Sequence, residues 1–238
     1  MHNRCYLLEL GLVEYGEAFR LQRAIAAARE VGALPDVLVA LEHPPVLTLG
    51  RRANRTNILA PDGLLSREGV AVHQSTRGGD VTYHGPGQLV GYPILALRQL
   101  GLGASQYVHT LERVIIDLLR EFGIEAGQDP RHVGVWVGDE KVAAIGVAIS
   151  GGITTHGFAL NVDPNLSHFA LINPCGITDK GVTSMARLLG RPVRLSEVRP
   201  PLVRHFARLF GMEMVPCPPA DLASAGISLP AGACFPTP

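Results

Sequence analysis

The chain has 238 residues, of which 47% are hydrophobic, so it is long enough to bury a large core within one domain. Its 21 basic and 21 acidic residues give a formal net charge of zero, which excludes a global attraction to nucleic acid or to an anionic membrane. Any charged docking surface must therefore be a local patch.

The N-terminal residues and the cysteines bear on location and redox chemistry. A short apolar run is interrupted by Glu9 and Glu14, so we expect no signal peptide and no membrane-spanning segment. The sequence therefore predicts a cytoplasmic protein. The four cysteines lack paired or Cys-x-x-Cys spacing, which argues against a disulfide framework or a structural zinc site.

The first elements are predicted from apolar runs and helical periodicity. Strands are expected over residues 5–10 and 36–41, because both are apolar runs of strand length. The helix between them should end at Gly32. Its predicted apolar face consists of Leu21, Ala24, Ile25, Ala28 and Val31.

Short strands and a basic loop are expected next. Pro44 and Pro45 interrupt the second strand, which residues 46–49 are expected to continue. Residues 50–55 then predict an exposed loop that carries three arginines. Further short strands are expected over residues 70–73 and 81–84.

Helices are expected in the second half of the chain as well. Residues 108–122 keep a helical apolar spacing, with Ser105 as the expected N-cap and Gly123 as the stop. A short helix is predicted over residues 183–189. Another is predicted after the Pro200-Pro201 pair, because prolines without N–H donors fit the first turn of a helix.

A hairpin and a further strand complete the fold prediction. Residues 133–137 and 141–149 flank a Gly-Asp-Glu turn, and residues 156–162 follow as another strand. Hairpins mixed with helices favour an α+β fold over a doubly wound parallel sheet. We expect one domain over residues 1–215 and an irregular, peripheral Pro/Ala-rich tail over residues 216–238.

A glycine-rich segment over residues 77–90 is the densest candidate for chemistry. Glycines on both sides of a short strand let a ligand approach the backbone closely, because no Cβ stands in the way. Arginine, aspartate, threonine, tyrosine and histidine lie among these glycines. Such a concentration of polar side chains in a loop is typical of a binding site.

Two strands with small residues form the second candidate. Strand alternation puts Ala144 and Gly146 on one face, and Gly157 and Ala159 repeat the pattern in the next strand. These strands could form a slot for a slender acyl chain. Lys141 heads the first of them.

The third candidate is Cys175, which lies in a Pro-Cys-Gly turn. A turn can expose the thiol, whereas the other three cysteines are interpreted as small buried apolar residues. An exposed thiol is mostly protonated at neutral pH unless a nearby cation lowers its pKa. Either Lys141 or Lys180 could provide that cation.

Together, the three candidates resemble the octanoyltransferase family, also called lipoyl(octanoyl) transferases or lipoate-protein ligase B. The family pattern is matched in order by four segments: Arg77 to Val90, Lys141 to Gly146, His156 to Val162 and Pro174 to Gly176. Four ordered motifs of this length are far more specific than a lone glycine pattern. The resemblance implies the catalytic core of biotin and lipoate protein ligases as the fold.

The resemblance also implies an activity and its residues. It implies octanoyl transfer from octanoyl-acyl carrier protein, through a thioester on Cys175, to a lysine of lipoyl domains. The acceptors would be the lipoyl domains of 2-oxoacid dehydrogenases and the glycine cleavage H protein, and no cofactor or metal would be needed. Lys141 corresponds to the group that lowers the pKa of the nucleophile. The implied substrate-binding residues are Arg77, Gly78, Gly79, Asp80, Val81, Thr82, Tyr83, His84, Ala144, Ile145, Gly146, Gly157, Phe158 and Ala159.

Three alternatives remain open from the residues alone. An ATP-dependent ligase on the same scaffold would activate a free acid, although it would not need Cys175 as nucleophile. A zinc hydrolase could use His84, His156 and Cys175, although no H-E-x-x-H spacing is present. A non-enzymatic protein that binds acyl chains is the third alternative.

Overall fold

The computed structural model describes residues 3–173 and 180–230. Twelve strands of the described residues, in chain order, are β1 (Asn3–Leu12), β2 (Asp36–Glu42), β3 (Val46–Leu49), β4 (Ala71–Gln74), β5 (Val81–His84), β6 (Gln88–Ile94), β7 (Gly127–Gln128), β8 (Val135–Val137), β9 (Glu140–Ser150), β10 (Ile153–Asn161), β11 (Gly181–Val182) and β12 (Met212–Pro216). Its α-helices are α1 (Tyr15–Glu30), α2 (Asp62–Arg67), α3 (Ala104–Glu121), α4 (Met185–Leu189), α5 (Leu195–Phe210) and α6 (Pro219–Ser224).

Most strands belong to one mixed sheet. Its order is β12-β1-β2-β6-β10-β9-β8-β7, and β11 pairs with β9 outside this path. Strand β1 is parallel to both of its neighbours, whereas the strands from β2 to β7 along this order are antiparallel. Strands β4, β3 and β5, in that order, form a second hydrogen-bonded sheet.

Helices cover both faces of the large sheet. Leu38 on β2 belongs to the apolar cluster that includes α3 and α5, whereas its neighbours Val37 and Val39 belong to the cluster that includes α1. Such alternation is expected of a strand with helices on both sides. The predicted α+β fold, a mixed sheet with flanking helices, is confirmed.

The expected continuation of β2 across the proline pair is wrong. Residues 46–49 form β3 in the small sheet, where they pair with β4 and β5. The predicted hairpin is confirmed as β8 and β9, with Val137 opposite Glu140.

Two helix details also differ from the sequence expectations. Ala24 and Val31 are exposed, and Arg29 on α1 is buried instead, where it donates to the Asp36 carboxylate at 2.7 Å. The α3 helix begins one residue before Ser105, with Gly103 as N-cap. A buried ion pair and a glycine cap are both hard to read from apolar periodicity.

The C-terminal elements correct two more expectations. Pro200 and Pro201 lie inside α5, beyond its first turn, because the helix already begins at Leu195, with the Glu197 carboxylate accepting the Arg194 N–H. The tail is not irregular and peripheral throughout: α6 forms at 219–224, and its Leu222 is buried in the cluster that includes α1. Residues 231–238 lie outside the described residues.

Candidate active site

A cavity of about 570 Å³ lies between the β9–β10 hairpin and the loop that precedes β5. Lys141 lines it, and so does every substrate-binding residue implied by the motifs: Arg77, Gly78, Gly79, Asp80, Val81, Thr82, Tyr83, His84, Ala144, Ile145, Gly146, Gly157, Phe158 and Ala159. This volume is typical of small-molecule sites. Cys175 lies outside the described residues, so its placement and the role of each lining residue stay predictions.

Arg77 anchors the glycine-rich loop. Its buried guanidinium donates through Nε to the Thr48 hydroxyl at 3.1 Å and through Nη2 to the Thr48 carbonyl at 2.5 Å. The next residue, Gly78, donates its N–H to the Val147 carbonyl on β9 at 2.9 Å. The loop is therefore held directly over the strand that carries the small residues.

Asp80 holds the same loop to the basic loop that follows β3. Its carboxylate accepts from the Asn57 amide at 2.5 Å and from the Asn54 N–H at 3.1 Å. Backbone bonds from Arg51 N–H to the Arg77 carbonyl and from Arg52 N–H to the Gly79 carbonyl join the two loops further. The Asp80 carboxylate thus helps to hold the two loops together.

The small residues of β9 and β10 face each other in register. Ala144 lies opposite Ala159, and Gly146 lies opposite Gly157. A Cβ at Gly146 would come within 3.2 Å of the Arg77 side chain and of the Gly78 carbonyl, so this glycine makes room for the loop. A Cβ at Gly157 would overlap the Gly91 carbonyl of β6. Close packing, and not only an open slot, therefore explains both glycines.

A β-bulge turns Lys141 toward the small residues. Strict alternation would place the side chains of Lys141 and Ala144 on opposite faces of the strand, because the two residues are three positions apart. However, Trp136 pairs with Lys141 while Val135 pairs with Ala143, so β9 contains one extra residue at this point. The bulge reverses the alternation and brings Lys141 to the face of Ala144 and Gly146.

The side chain of Lys141 contacts β8 and the preceding loop. Its Nζ donates to the Val133 carbonyl at 3.2 Å and lies 4.6 Å from the centroid of the Trp136 ring. An ammonium over an indole face is stabilised by the ring quadrupole. Both contacts hold the Lys141 Nζ in place.

Lys180 has a different environment. Its Nζ lies 2.8 Å from an Asp129 carboxylate oxygen and 3.0 Å from an Asp139 carboxylate oxygen. The hydrogen bond to Asp129, followed by that to Asp139, raises the pKa of Lys180. Two carboxylates offset its charge, so Lys180 is the weaker candidate for stabilising a thiolate.

His84 and His156 are buried in the cavity wall and neutral. Burial, together with the nearby Arg77 and Arg51 charges, lowers the pKa of His156 to about 4. The pKa of His84 is also well below its usual value, mainly because the ring is buried. His156 bonds to the Thr76 hydroxyl at 2.9 Å. Among residues 3–173 and 180–230, no cluster of three metal-ligating side chains occurs.

Several lining residues carried no usable sequence signal. They are Tyr15 from α1, Tyr92 from β6, Val108 from α3, Phe169, and the stretch from Arg131 to Val133. They come from distant parts of the chain, and only the packing of helices on the sheet brings them to the cavity. Tyr15, for example, donates to the Ser75 hydroxyl at 2.8 Å.

Comparison with known proteins agrees with this architecture. Residues 14–207 match the family model of the lipoyl protein ligase A/B catalytic domain. The chain therefore belongs to the lipoyl protein ligase A/B catalytic-domain family. It is 53% identical to an octanoyltransferase of Solibacter usitatus, over 93% of this chain and 99% of that protein.

Solved structures support the fold. A bi-partite lipoate protein ligase from Thermoplasma acidophilum superposes with a TM-score of 0.72 at 18% identity, covering 95% of this chain and 91% of that one. A biotin protein ligase from Aquifex aeolicus gives 0.53 at 14% identity, covering 86% and 70%. The predicted likeness to biotin and lipoate ligase cores is confirmed. In the part of the chain that the structure describes, every helix is too short or too polar to cross a bilayer.

Proposed function

We propose that this protein is an octanoyltransferase that takes the octanoyl group of octanoyl-acyl carrier protein onto Cys175 and delivers it to a lysine of lipoyl domains. The acceptors are the lipoyl domains of 2-oxoacid dehydrogenases and the glycine cleavage H protein. The observation that carries the proposal is that Lys141 lines the same cavity as Ala144 and Gly146. A relative that is 53% identical and is named octanoyltransferase supports it.

The reaction divides into two balanced steps. The Cys175 thiolate attacks the carbonyl carbon of the octanoyl thioester. The carbon–sulfur bond to the carrier breaks, and the carrier thiolate leaves with its electron pair. The acceptor lysine amine then attacks the acyl-enzyme carbonyl, and the Cys175 thiolate leaves as the amide forms. Thioester exchange is nearly balanced and amide formation is downhill, so neither ATP nor metal is required.

Lys141 has a part in both steps. As an ammonium it stabilises the attacking thiolate of Cys175. The ammonium then gives a proton to the departing carrier thiolate, and the resulting neutral amine accepts the proton that the incoming lysine must lose. The apolar lining from Ala144, Ile145 and Phe158 offers the octanoyl chain a dry surface.

Mass spectrometry of the intact protein tests the proposal directly. Incubation with octanoyl-carrier protein, without ATP, should add one octanoyl group that is removed by hydroxylamine, and an added apo lipoyl domain should then collect the group. An adduct that forms only from free octanoate and ATP would instead indicate a ligase. Tight binding of octanoyl groups without any adduct would indicate an acyl-chain binding protein.

The arginines of the basic loop are expected to dock the acidic carrier protein. Arg51, Arg52 and Arg55 are exposed, and Arg52 also lines the cavity. Reversing all three to glutamate should raise the KM for octanoyl-carrier protein by about tenfold or more at low salt, with a smaller change at high salt. Initial rates against carrier concentration at two ionic strengths give both values.

The matched control is Arg23→Glu, which reverses an exposed arginine of α1 that does not line the cavity. Its KM should equal that of the wild type. An unchanged KM for the triple reversal at low salt would remove the basic loop from the interface.

Ala144 gives the cleaner test of the acyl slot, because a side chain at Gly146 would push on Arg77 and Gly78. Ala144→Leu should lower kcat/KM for octanoyl transfer by roughly 10- to 100-fold, since added methylenes compete with the chain for space. Transfer of a butanoyl group should fall much less. Ala148→Leu, on the same strand but outside the cavity lining, serves as the control. Equal losses for both chain lengths would place the slot elsewhere.

A further inference from the structure

Lys141 rests on a segment that the sequence motifs do not contain. Residues 129–136, the lysine-support segment, provide the Val133 carbonyl and the Trp136 ring that Nζ contacts. The Trp136 indole N–H donates to the His132 carbonyl at 3.0 Å, so the ring and the carbonyl-bearing turn are tied to each other. The position of the ammonium therefore depends on the position of this segment.

Glu112 on α3 binds the lysine-support segment through side-chain hydrogen bonds. Its side chain is buried, and Oε1 accepts the Gly134 N–H at 3.0 Å. Its other oxygen accepts from the Gln128 amide at 2.7 Å and contacts His109 Nδ1 at 3.1 Å. A buried carboxylate with several donors holds these donors firmly in place, because charge-assisted hydrogen bonds are shorter and stronger than neutral ones.

Gly134 links the Glu112 carboxylate to the Lys141 side chain. It adopts φ = 135°, and a Cβ built there would lie 2.8 Å from the Ala143 carbonyl and 3.2 Å from Lys141 Cε. The segment thus packs against the aliphatic stem of Lys141 without any intervening side chain. A shift of Gly134 would move the stem.

Asp129 holds the other end of the segment. Its Oδ1 accepts the N–H groups of Arg131 at 2.7 Å and His132 at 3.1 Å, while Oδ2 pairs with Lys180 at 2.8 Å. The Lys180 hydrogen bond is the main cause that lowers the pKa of Asp129 to about 2. Carboxylates therefore fix the segment on both sides of Val133.

We propose that Glu112 is a positioning residue for Lys141, acting through the Gly134 N–H and the lysine-support segment to fix the position of the Lys141 ammonium in the cavity. The inference rests on the proposed function, since it gives Lys141 the role in transfer described above. Glu112 itself does not line the cavity. It determines geometry, to which proton-transfer steps are highly sensitive.

The test compares Glu112→Ala with Glu112→Gln and with a matched control. Glu112→Ala should lower kcat by up to about 100-fold, the cost of a displacement of about 1 Å, while the KM for octanoyl-carrier protein changes little. Glu112→Gln keeps an oxygen for the Gly134 N–H and should restore most of the rate. Asp117→Asn alters another buried carboxylate of α3, which binds Arg113, Arg120 and Arg208, and should leave kcat unchanged.

Two further readouts separate positioning from stability. The pH profile of acyl-enzyme discharge should shift in Glu112→Ala, because the environment of Lys141 changes. Trp136 is the only tryptophan in the chain, and the Nζ atoms of Lys141 and Lys180 lie 4.6 Å and 4.8 Å from its ring centroid, so its emission responds to both ammonium groups. Lys141→Met should remove the part of the pH-dependent emission change that is due to Lys141. In Glu112→Ala, that part should occur at a different pH. Should Glu112→Ala fail to fold, Gly134→Ala leaves α3 intact and displaces the segment from the Ala143 carbonyl and the Lys141 stem, which a Cβ would approach to 2.8 Å and 3.2 Å.

The outcomes also separate this inference from the proposed function. Full activity of Lys141→Met would overturn the role of Lys141 itself. An inactive Lys141→Met beside folded Glu112→Ala and Gly134→Ala variants with wild-type kcat and pH profile would overturn only the positioning role. Losses in kcat that Glu112→Gln restores, with displaced emission, are the expected result.

Discussion

Cys175→Ser is expected to abolish the covalent octanoyl-enzyme and to reduce octanoyl transfer by about 1000-fold or more, as the removal of a nucleophile usually does. Serine keeps the size of the side chain, but its hydroxyl is far too weakly acidic to be activated by a neighbouring ammonium alone. The measurement is intact-protein mass spectrometry after incubation with octanoyl-carrier protein, followed by transfer to an apo lipoyl domain.

The described cysteines supply the control. Cys5 and Cys217 are both buried, and burial raises the pKa of each thiol, that of Cys217 to about 11. Such thiols are protonated at neutral pH and shielded from a bulky carrier. Cys217→Ala should therefore keep both the adduct and the transfer rate. An octanoyl adduct that survives in Cys175→Ser would show that another residue carries the acyl group.

Alternation and motif order were enough to predict the two-strand wall of the cavity. Ala144 and Ala159 lie opposite each other in neighbouring strands, as the spacing of small residues indicated. Glycine-rich residues 77–80 lie over that wall, which the motif alone could only suggest. Local sequence rules succeed here because the pattern has the period of a strand.

The orientation of Lys141 could not be predicted in this way. It depends on the extra residue in β9, and nothing in the apolar sequence that follows Lys141 marks a bulge. The same limit applies to Glu112, whose carboxylate is buried on α3 as is that of Asp117. Only the packing of α3 under Gly134 shows what that carboxylate binds.

The strand pairing in the small sheet could not be predicted, for a related reason. Strand β3 follows β2 after two prolines, and the sequence does not say that the chain changes sheets there. Pairing partners such as Leu47 and Tyr83 are 36 residues apart. Contacts at that separation are set by the global fold and not by local propensity.

Lys141→Ala is expected to raise the pKa of the Cys175 thiol and to lower the rate of acylation at neutral pH. The ammonium favours the thiolate, so its loss returns the thiol toward its ordinary pKa of about 8.5 or above it. The alkylation rate of Cys175 by iodoacetamide, followed on its peptide by mass spectrometry, should therefore rise only at higher pH in the variant. Lys180→Ala should displace the curve less than Lys141→Ala does, because Asp129 and Asp139 already offset the Lys180 charge.

Lys141→Arg separates the two roles of the lysine. A guanidinium keeps the positive charge but cannot release a proton near neutral pH, so it can stabilise the thiolate without later accepting a proton from the acceptor amine. The variant should form octanoyl-enzyme yet discharge it to the lipoyl domain more slowly, by roughly 100-fold or more. Single-turnover experiments that follow loading and discharge separately measure both steps. Superimposable alkylation curves for wild type and Lys141→Ala, together with normal discharge in Lys141→Arg, would mean that a group other than Lys141 activates Cys175 and accepts the proton.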